Sequence, residues 1–458
     1  MSNLSKTISY IKRNGIKNTC YEIAERLDKN HLEEMQKKVK VYQGDPYYWD
    51  EKVLLMYAAG HDLKNTASGE IPKKPVFKKD YLFSILVPAY ETNEKYLKEM
   101  IESVIVQKDY ARVELIIADA SKTSQVKDVV NEYTNFPQIK YIRLKENRGI
   151  SENTNEALKV AKGDYIGLLD HDDTLAYDAL FHVRQKLEEK DYEFLYSDED
   201  KGDGELTRFF EPNMKPDFNL DYLLTNNYIC HFLVMKAELM KKLKFRKEYD
   251  GAQDFDLVLR AAGEVLKEKN GKEKIAHIPK VLYHWRCHES STSSNPESKR
   301  YAYEAGKRAV SDFLKTYMGM DEEKAVVDHT MHLGFYQITY KQGIFKARPE
   351  VAAICGRVIK KNLVTDGPKW ITEEGQINLF TGLKASFGGY MHRTKLILEV
   401  DAMPEGAVCW NEKYRMLFKT MEKQGKKLNF EEKQQIAREQ GDIFLYVPNF
   451  QDIVNDSQ

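Results

Sequence analysis

Residues 165–173 read Tyr-Ile-Gly-Leu-Leu-Asp-His-Asp-Asp, a short apolar run that ends in the carboxylates of Asp170, Asp172 and Asp173. An apolar run of this length predicts a buried strand of a parallel sheet, and open α/β sheets bind ligands at the carboxyl ends of such strands. Clustered carboxylates repel one another, and a hard divalent cation that neutralises them can also hold a diphosphate. The alternative is a solvated, acidic start of the helix predicted over 176–189, because Asp is a common helix cap.

Strands and helices alternate around this stretch. Short apolar runs predict five strands, at 83–87, 113–118, 139–144, 165–169 and 192–197. Helical periodicity predicts the helices that accompany them, at 94–107, 124–134, 151–161 and 176–189. Such alternation is typical of βαβ units, so the predicted fold class is α/β with a mostly parallel, doubly wound sheet. The later elements are predicted as helices near 219–225, 253–268 and 298–316 and as extended segments at 228–235 and 274–284.

The composition of the chain excludes several classes of protein. Its 458 residues predict two or three domains, and 70 basic against 71 acidic side chains leave no overall field that would attract nucleic acid. The five cysteines are scattered with no Cys-x-x-Cys pair, which argues against a disulfide framework and a zinc site and for a reducing compartment.

The amino terminus carries no signal-peptide pattern, and nowhere do 18 apolar residues run together. The predicted location is therefore cytoplasmic, at most peripheral at the inner face of a membrane. A basic patch in the first 19 residues could lie on an anionic membrane surface or be a solvated face of the protein. Its members are Lys6, Lys12, Arg13 and Lys17.

Polar residues also follow the other predicted strands. Asp119 ends the second strand and could accept the imide N–H of a pyrimidine base, while Tyr90, after the first strand, could lie against the base or the ribose. The alternative for Asp119 is a helix cap. Gly149 opens a helix in the turn 145–153, where backbone N–H groups and Arg148 could meet phosphate.

The order of these pieces resembles the inverting, nucleotide-sugar-dependent glycosyltransferases of family 2, which have the GT-A fold. The resemblance covers about residues 82 to 296. The matching pieces are Val-Pro-Ala-Tyr-Glu at 87–91, Asp119, the turn of Asn147, Arg148 and Gly149, Asp-His-Asp-Asp at 170–173, Tyr-Ser-Asp-Glu-Asp-Lys at 196–201, Gly-Ala-Gln-Asp-Phe-Asp-Leu at 251–257 and His-Ile-Pro-Lys-Val-Leu-Tyr-His-Trp-Arg at 277–286. Within the family, the chain resembles the subgroup that builds rhamnan, capsular and other bacterial cell-surface polysaccharides.

The resemblance implies a metal cofactor and a general base. Asp172 would hold Mn²⁺ or Mg²⁺, with Asp170 on the ribose or in the outer shell of the metal. Asp254 stands where the family places the base that deprotonates the acceptor hydroxyl, although a helix cap is the alternative. A mobile loop after the last matching piece would bring His288 to the metal or the diphosphate, with His284 as the second choice.

The remaining site residues are assigned by the same resemblance. The side chains expected to bind the nucleotide sugar are Pro88, Tyr90, Glu91, Asp119, Arg148, Asp170, His171 and Asp172. Those expected on the acceptor side are Asn227, Gln253 and Trp285, and Trp285 is read as core or as a wall that stacks on sugar. The donor would be a UDP- or dTDP-sugar, because uracil and thymine share the edge that Asp119 would read.

The domain prediction has three parts: an N-terminal helical extension at 1–80, a GT-A catalytic domain at 81–320 and a smaller α/β or α+β module at 330–458. The last module resembles an incomplete, degenerate second domain of the family, with Glu432 where a base would be expected. Its expected role is structure, acceptor binding or formation of a homodimer, and the alternative is an unrelated α+β domain.

The predicted function is transfer of the sugar to a hydroxyl of a growing cell-surface polysaccharide or a lipid-linked glycan. One alternative is a non-catalytic glycan-binding or scaffold protein that retains the fold, against which the set of Asp170, Asp172 and Asp254 argues. Another is a nucleotide-sugar pyrophosphorylase. Such an enzyme usually has a glycine-rich phosphate loop after the first strand, and residues 88–93 contain no glycine.

Overall fold

The computed structural model describes residues 77–207, 209–287, 300–372 and 375–451, together with Ile16, Cys20 and Ile23. Apart from these three residues and 77–80, the predicted N-terminal helical extension lies outside the described residues. The rest of the chain divides into two compact units. The first unit contains residues 77–218 and 226–320, and the second contains residues 219–225 and those from 321 onward.

In the described part of the first unit, nine strands form one sheet. They are β1 (Leu82–Ala89), β2 (Arg112–Asp119), β3 (Ile139–Arg143), β4 (Tyr165–Leu168), β5 (Thr174–Leu175), β6 (Phe194–Gly202), β7 (Phe209–Asn213), β8 (Leu233–Lys236) and β9 (Ile275–Arg286). The order across the sheet is β3-β2-β1-β4-β8-β6-β9-β5, with β7 paired to β6. Strands β3, β2, β1 and β4 are parallel neighbours, whereas β8 runs antiparallel to both β4 and β6.

The described α-helices are numbered along the whole chain. They are α1 (Glu94–Ile105), α2 (Gln125–Asn131), α3 (Ile150–Val160), α4 (Ala179–Glu189), α5 (Leu220–Leu223), α6 (Ala237–Leu243), α7 (Gln253–Leu266), α8 (Arg300–Met318), α9 (Ile344–Ala347), α10 (Glu412–Lys423) and α11 (Phe430–Glu439). Short 3₁₀ segments occupy Val106–Asp109, Lys247–Tyr249, Gly271–Lys274 and Tyr390–Lys395. Among the described helices, none has both the length and the apolar character needed to cross a membrane.

Local sequence explains why the first helix forms where it does. Asn93 caps α1 by accepting the backbone N–H of Lys95 at 2.9 Å, as short polar side chains commonly do at helix starts. The helix buries one apolar face made of Leu97, Met100, Ile101 and Val104. This face follows the 3.6-residue period of a helix and packs into the core around β1 and β2.

The predicted βαβ alternation is observed over the first half of this unit. Each of the five predicted strands overlaps an observed one, and β4 ends at Leu168, two residues before Asp170. The extended segment predicted at 228–235 is a strand only from Leu233 onward. It enters the sheet antiparallel between β4 and β6, so it interrupts the parallel order, which continues on its other side with the parallel pair of β6 and β9.

The second unit contains a smaller sheet and three hairpin-like pairs. Its strands are β10 (Ala325–His329), β11 (Tyr336–Tyr340), β12 (Val351–Cys355), β13 (Val358–Lys360), β14 (Leu363–Asp366), β15 (Lys369–Thr372), β16 (Gly375–Asn378), β17 (Leu398–Val400), β18 (Val408–Trp410) and β19 (Ile443–Tyr446). The order β17-β19-β12-β18 forms the sheet, in which β12 and β19 are parallel. Within this unit, Arg348 makes a buried ion pair with Asp221, at 2.7 Å between Nη1 and Oδ1.

Candidate active site

The candidate site lies at the carboxyl ends of the parallel strands of the first unit. Ala89, the last residue of β1, lies opposite Asp119, the last residue of β2. On the other side of β1, β4 runs parallel to it and leads directly into the turn that carries Asp170 and Asp172. The predicted polar residues of three neighbouring strands therefore meet at one edge of the sheet, as expected for a parallel arrangement.

Residues of β9 hold the turn after β4 in place. Asp173 is buried, and its two carboxylate oxygens accept the backbone N–H of Arg286 at 2.8 Å and the hydroxyl of Tyr283 at 2.6 Å. The Arg286 side chain also donates Nε–H to the backbone carbonyl of Asp172 at 2.6 Å. Anchored in this way, the turn leaves the side chains of Asp170 and Asp172 49% and 24% exposed toward solvent.

Negative charge is concentrated around Asp170. Burial raises the pKa of its carboxyl, and the charges of Asp172 and Asp254 raise it further, while the nearby imidazole of His231 lowers it. The charge of Asp254 contributes to this shift although the two residues are 84 positions apart in the sequence. Several carboxylates that repel one another favour a bound cation.

Asp254 is the second residue of α7 and not its cap, because Ala252 is the residue in the capping position. One oxygen of Asp254 accepts the backbone N–H of Phe255 at 2.8 Å, and the other accepts the amide of Asn227 at 3.1 Å. The buried carbonyl oxygen of Asn227 has no hydrogen-bond partner among the described residues. The two predicted residues thus lie together, with an acceptor atom left over for a ligand.

Asp119 is fully buried and held by three donors. Its Oδ1 accepts the backbone N–H of Ser121 at 2.8 Å, and its Oδ2 accepts the hydroxyl of Tyr141 at 2.6 Å and Nη1 of Arg143 at 2.7 Å. Sequence reasoning missed both β3 partners. Tyr141 and Arg143 are two residues apart on one strand, which places them on the same face, and that spacing was the available signal.

Glu91 joins the loops that follow β1 and β2. Its carboxylate accepts the backbone N–H of Lys122 at 2.6 Å and the hydroxyl of Thr123 at 2.7 Å, and the hydrogen bond from Thr123 lowers the pKa of Glu91. Tyr90 beside it is 40% exposed, whereas Pro88 is partly buried in the strand. Glu91 therefore braces the rim of the cleft, and Tyr90 offers its ring at the rim.

Residues 84–246 match the family model described as glycosyl transferase family 2. The chain carries a family 2 glycosyltransferase domain. The sheet of the first unit and this match confirm the predicted family and the α/β, GT-A fold class.

Relatives of the glycosyltransferase domain come from several bacteria. The chain is 39% identical over 52% of its length to the uncharacterized protein y4gI of Sinorhizobium fredii, covering 26% of that protein. It is 32% identical over 51% of its length to the O-antigen biosynthesis protein RfbC of Myxococcus xanthus, covering 18% of it. The chain therefore spans about a quarter or less of the length of these relatives. A crystal structure of S. aureus TarS in complex with UDP-GlcNAc aligns with 53% of this chain and 68% of its own, at 21% identity and a TM-score of 0.41.

At the start of α3 in the glycosyltransferase domain, the side-chain carboxylate of Asp250 binds the helix N-terminus. The backbone N–H of Ser151 donates to Asp250 at 3.1 Å, and a Cβ on Gly149 would lie 2.1 Å from that carboxylate. Asp250 therefore occupies the helix terminus where phosphate was expected. Arg148 is paired with Glu156 at 2.8 Å, so its contact with the nucleotide sugar stays a prediction.

Gln253 and Trp285, the other two residues predicted on the acceptor side with Asn227, have the following contacts. Gln253 accepts the backbone N–H of Gly251 at 2.8 Å and so holds the turn before α7. Trp285 is partly buried against the core, which agrees with its predicted role as a core residue. Nζ of Lys201 lies 5.5 Å from the centre of its ring. The acceptor-side assignments of both residues stay predictions.

The acidic run at 198–200 is the feature whose role sequence reasoning missed. Each acid has a histidine partner: His277 lies 2.8 Å from Asp198, His231 lies 3.1 Å from Glu199, and His284 lies 2.7 Å from Asp200. His284 is thus a packed residue with a carboxylate partner. Three consecutive acids directly after the strand predicted at 192–197 were the signal, because β6 extends through them and buried carboxylates need partners.

A metal ion fits the donor chemistry at the end of β4. Asp172 is a partly exposed carboxylate among other carboxylates, and Mg²⁺ and Mn²⁺ prefer such oxygen ligands. In the described part of the chain, no group of three His, Cys, Asp or Glu side chains is arranged to hold a metal. Substrate phosphates would have to complete the coordination, as is common for Mg²⁺. The second predicted ligand, His288, lies outside the described residues.

Proposed function

We propose that the protein is an inverting, metal-dependent glycosyltransferase that moves a sugar from a UDP- or dTDP-sugar to a hydroxyl of a growing cell-surface polysaccharide or a lipid-linked glycan. The observation that carries the proposal is the turn after β4, which β9 anchors so that the carboxylates of Asp170 and Asp172 stay partly exposed. The family 2 match over residues 84–246 covers these carboxylates and also Asn227, which bonds to the candidate base Asp254.

Asp254 is the proposed general base. Its carboxylate takes the proton of the acceptor hydroxyl as the oxygen attacks the anomeric carbon of the donor sugar. The bond from that carbon to the diphosphate oxygen breaks on the opposite face, so the configuration inverts and the diphosphate leaves with the bonding electrons. The amide of Asn227 orients the base at the first turn of α7.

Asp172 would hold Mn²⁺ or Mg²⁺ together with the diphosphate of the donor. When bound, the cation supplies positive charge that stabilises the leaving diphosphate. Asp119 would face the base of the nucleotide from β2, and Pro88, Tyr90, Glu91, Arg148, Asp170 and His171 complete the proposed donor site. His171 has a buried ring nitrogen, Nδ1, without a hydrogen-bond partner among the described residues, which supports a ligand contact there.

The acceptor class is proposed from the relatives. One is named for O-antigen biosynthesis, and another, the minor teichoic acid biosynthesis protein GgaB of Bacillus subtilis, is 25% identical over 48% of this chain, covering 24% of that protein. Both names refer to bacterial surface polymers, which supports a cell-surface glycan as the product. Asn227, Gln253 and Trp285 are the proposed acceptor-side residues.

The second module, residues 330–458, is proposed to be a degenerate copy of the catalytic fold that serves structure, acceptor binding or dimer formation. Glu432, which stands where a base would be expected, forms a capping box with Asn429 at the start of α11. Its carboxylate accepts the backbone N–H of Asn429 at 2.7 Å. A residue in this position stabilises the helix start and is exposed, which supports a role without catalysis.

A thermal-shift panel tests the proposed function. The full chain is melted with UDP-, dTDP- and GDP-sugars, each with and without Mn²⁺. A ligand at 100 times its Kd stabilises a protein by about 2.7 kcal/mol, so a UDP- or dTDP-sugar should raise the Tm by several degrees with Mn²⁺ present. The same ligands should have less effect on Asp172→Asn.

Two outcomes would replace the proposal. No stabilisation by any nucleotide sugar would favour the non-catalytic glycan-binding protein. Release of pyrophosphate from a nucleoside triphosphate and a sugar phosphate would favour the pyrophosphorylase.

A further inference from the structure

The pairing of two strands places His231 beside Asp170. Strand β8 runs antiparallel to β4, and Gly167 lies opposite Val234. Continuing this register by three residues on each strand brings His231 opposite Asp170, and Nε2 of His231 lies 3.9 Å from Oδ2 of Asp170. An imidazole and a carboxylate therefore lie side by side in the cleft.

Contacts with Glu199 and Tyr283 fix the orientation of the His231 ring. Glu199 Oε2 accepts the backbone N–H of His231 at 2.6 Å and lies 3.1 Å from Nδ1 of the ring. Asn213 donates to the other oxygen of Glu199 at 2.9 Å, and the ring stacks on Tyr283 with their centres 4.6 Å apart. Because Nδ1 faces Glu199, the opposite nitrogen, Nε2, faces Asp170 and the cleft.

The ring presents a donor to the cleft. Burial acts to lower the pKa of His231, but its hydrogen bond to Glu199 and the charges of Glu199 and Asp170 raise that pKa to about 9. A protonated imidazole donates from both nitrogens. The distance of 3.9 Å to Asp170 is longer than a hydrogen bond, and both side chains are partly exposed. The pair therefore offers one acceptor and one donor to a ligand.

We propose that Asp170 and His231 together bind one hydroxyl group of the transferred sugar, an inference that rests on the proposed function. A hydroxyl both donates and accepts hydrogen bonds, so it can donate to the carboxylate of Asp170 and accept from Nε2 of His231. His231 is then a substrate-binding residue that contributes to the choice of donor sugar.

The position of the pair favours the transferred sugar over the ribose. Asp119, the proposed reader of the base, is on β2, three strands away from β8 in the sheet order. Three strand spacings amount to roughly 14 Å. Asn227, four positions before His231 in the sequence, bonds to the proposed base Asp254 at 3.1 Å. The pair thus lies at the end of the cleft that holds the proposed base.

Two matched variants separate a ligand contact from a structural role. His231→Asn can keep an amide donor near the position of Nδ1, for Glu199, but has no group at the position of Nε2. His231→Gln can place its amide near the position of Nε2 and loses the bond to Glu199. His182→Gln is the control, because the Nε2 of His182 bonds to Asp178 at 3.1 Å within α4 and its preceding turn.

The measurement is calorimetric titration of the full chain with UDP-glucose, UDP-N-acetylglucosamine and dTDP-rhamnose, each with Mn²⁺, and with UDP and dTDP alone. His231→Asn is expected to weaken binding of the preferred sugar nucleotide by roughly 10-fold or more, the value of a lost charged hydrogen bond. It should leave the affinity for the nucleoside diphosphate alone unchanged. His231→Gln should bind the sugar nucleotide more tightly than His231→Asn does.

Three outcomes overturn the inference alone. Equal weakening of sugar nucleotide and nucleoside diphosphate would move the contact to the ribose or the diphosphate. Unchanged affinity in His231→Asn would remove the contact altogether. Weaker binding by His231→Gln than by His231→Asn would make His231 a structural partner of Glu199. If the wild-type chain binds no sugar nucleotide, the proposed function itself fails, and the inference fails with it.

Discussion

Asp254 has an environment that suits a base, because its only described partners are a backbone N–H group and the amide of Asn227. Neither partner is a cation that would form an ion pair with the carboxylate. We predict that Asp254→Asn lowers the rate of sugar transfer by roughly 10²- to 10⁴-fold, the usual contribution of general-base catalysis. Donor affinity, measured by titration, should change little.

The matched control for this variant is Glu264→Gln. Glu264 lies on the same helix, α7, but is paired with Lys242 and Lys267 on the surface. Transfer by the control should equal that of the wild type. Unchanged turnover in Asp254→Asn would remove Asp254 from the reaction.

His231 and Glu199 make stability depend on pH. Burial raises the pKa of Glu199, but Lys215 and His231 lower it to about 2, so Glu199 stays ionised above that pH. The pKa of His231 is raised from 6.5 to about 9. A group with a raised pKa contributes its full stability below its unfolded pKa and loses it as the pH rises through the folded pKa.

We therefore predict that the difference in unfolding free energy between wild type and His231→Gln shrinks between pH 6 and pH 10, by about 3 kcal/mol at most. Urea unfolding at both pH values measures it. A difference that stays constant over this range would show that the ring is neutral in the folded protein.

The sequence predicts Asp170, Asp172 and Asp254 as site residues because each belongs to a short local motif at the end or start of one element, and these roles stay predictions. It could not identify His231 or Arg143 as partners of site carboxylates. His231 reaches Asp170 only because β8 enters the sheet next to β4, and Arg143 reaches Asp119 only through the register of β3 with β2. Such neighbours are set by the order of strands, which no local pattern contains.

At the scale of an element, the start of α3 depends on one glycine. Gly149 has φ of +101°, and a Cβ there would lie 2.1 Å from an oxygen of Asp250. We predict that Gly149→Ala destabilises the protein by about 2 kcal/mol or more, because both the backbone conformation and the contact are unfavourable. Chemical denaturation would measure the change.

Gly319 offers a matched control for this prediction. Its φ of +64° is also positive, but a Cβ would meet nothing within 4 Å. Gly319→Ala should therefore show only the backbone cost, about 1 kcal/mol. Equal losses of stability in both variants would mean that the side chain of Asp250 moves away from the new Cβ at no energetic cost.

The elements themselves were the most predictable part of the fold, since periodic apolar positions mark β1 to β4 and α1 to α4. The glycine turn before α3 shows where prediction from local sequence fails. A glycine before a helix predicts that the helix N-terminus binds an anion. It does not specify whether that anion is a substrate phosphate or the carboxylate of a side chain. Here Asp250, almost 100 positions later in the sequence, is the anion.

At the scale of the whole molecule, Glu432 of the second module should take no part in the chemistry at Asp254. We predict that Glu432→Gln leaves the rate of sugar transfer unchanged and lowers stability by about 1 kcal/mol, the usual effect of a weakened cap. Kinetics and a melting curve on the same preparation measure both. A large loss of turnover without a loss of stability would make Glu432 catalytic and the module active.

The short helix α5 is built into the second unit, although the residues on both sides of it belong to the first. Its Asp221 pairs with Arg348, which is 127 positions later. During synthesis on the ribosome, this carboxylate emerges long before its guanidinium partner exists. A protein truncated after Met320 would lack Arg348, so the buried carboxylate of Asp221 would lose the cation it pairs with. Deleting the C-terminal part is consequently an unsuitable way to isolate the catalytic unit.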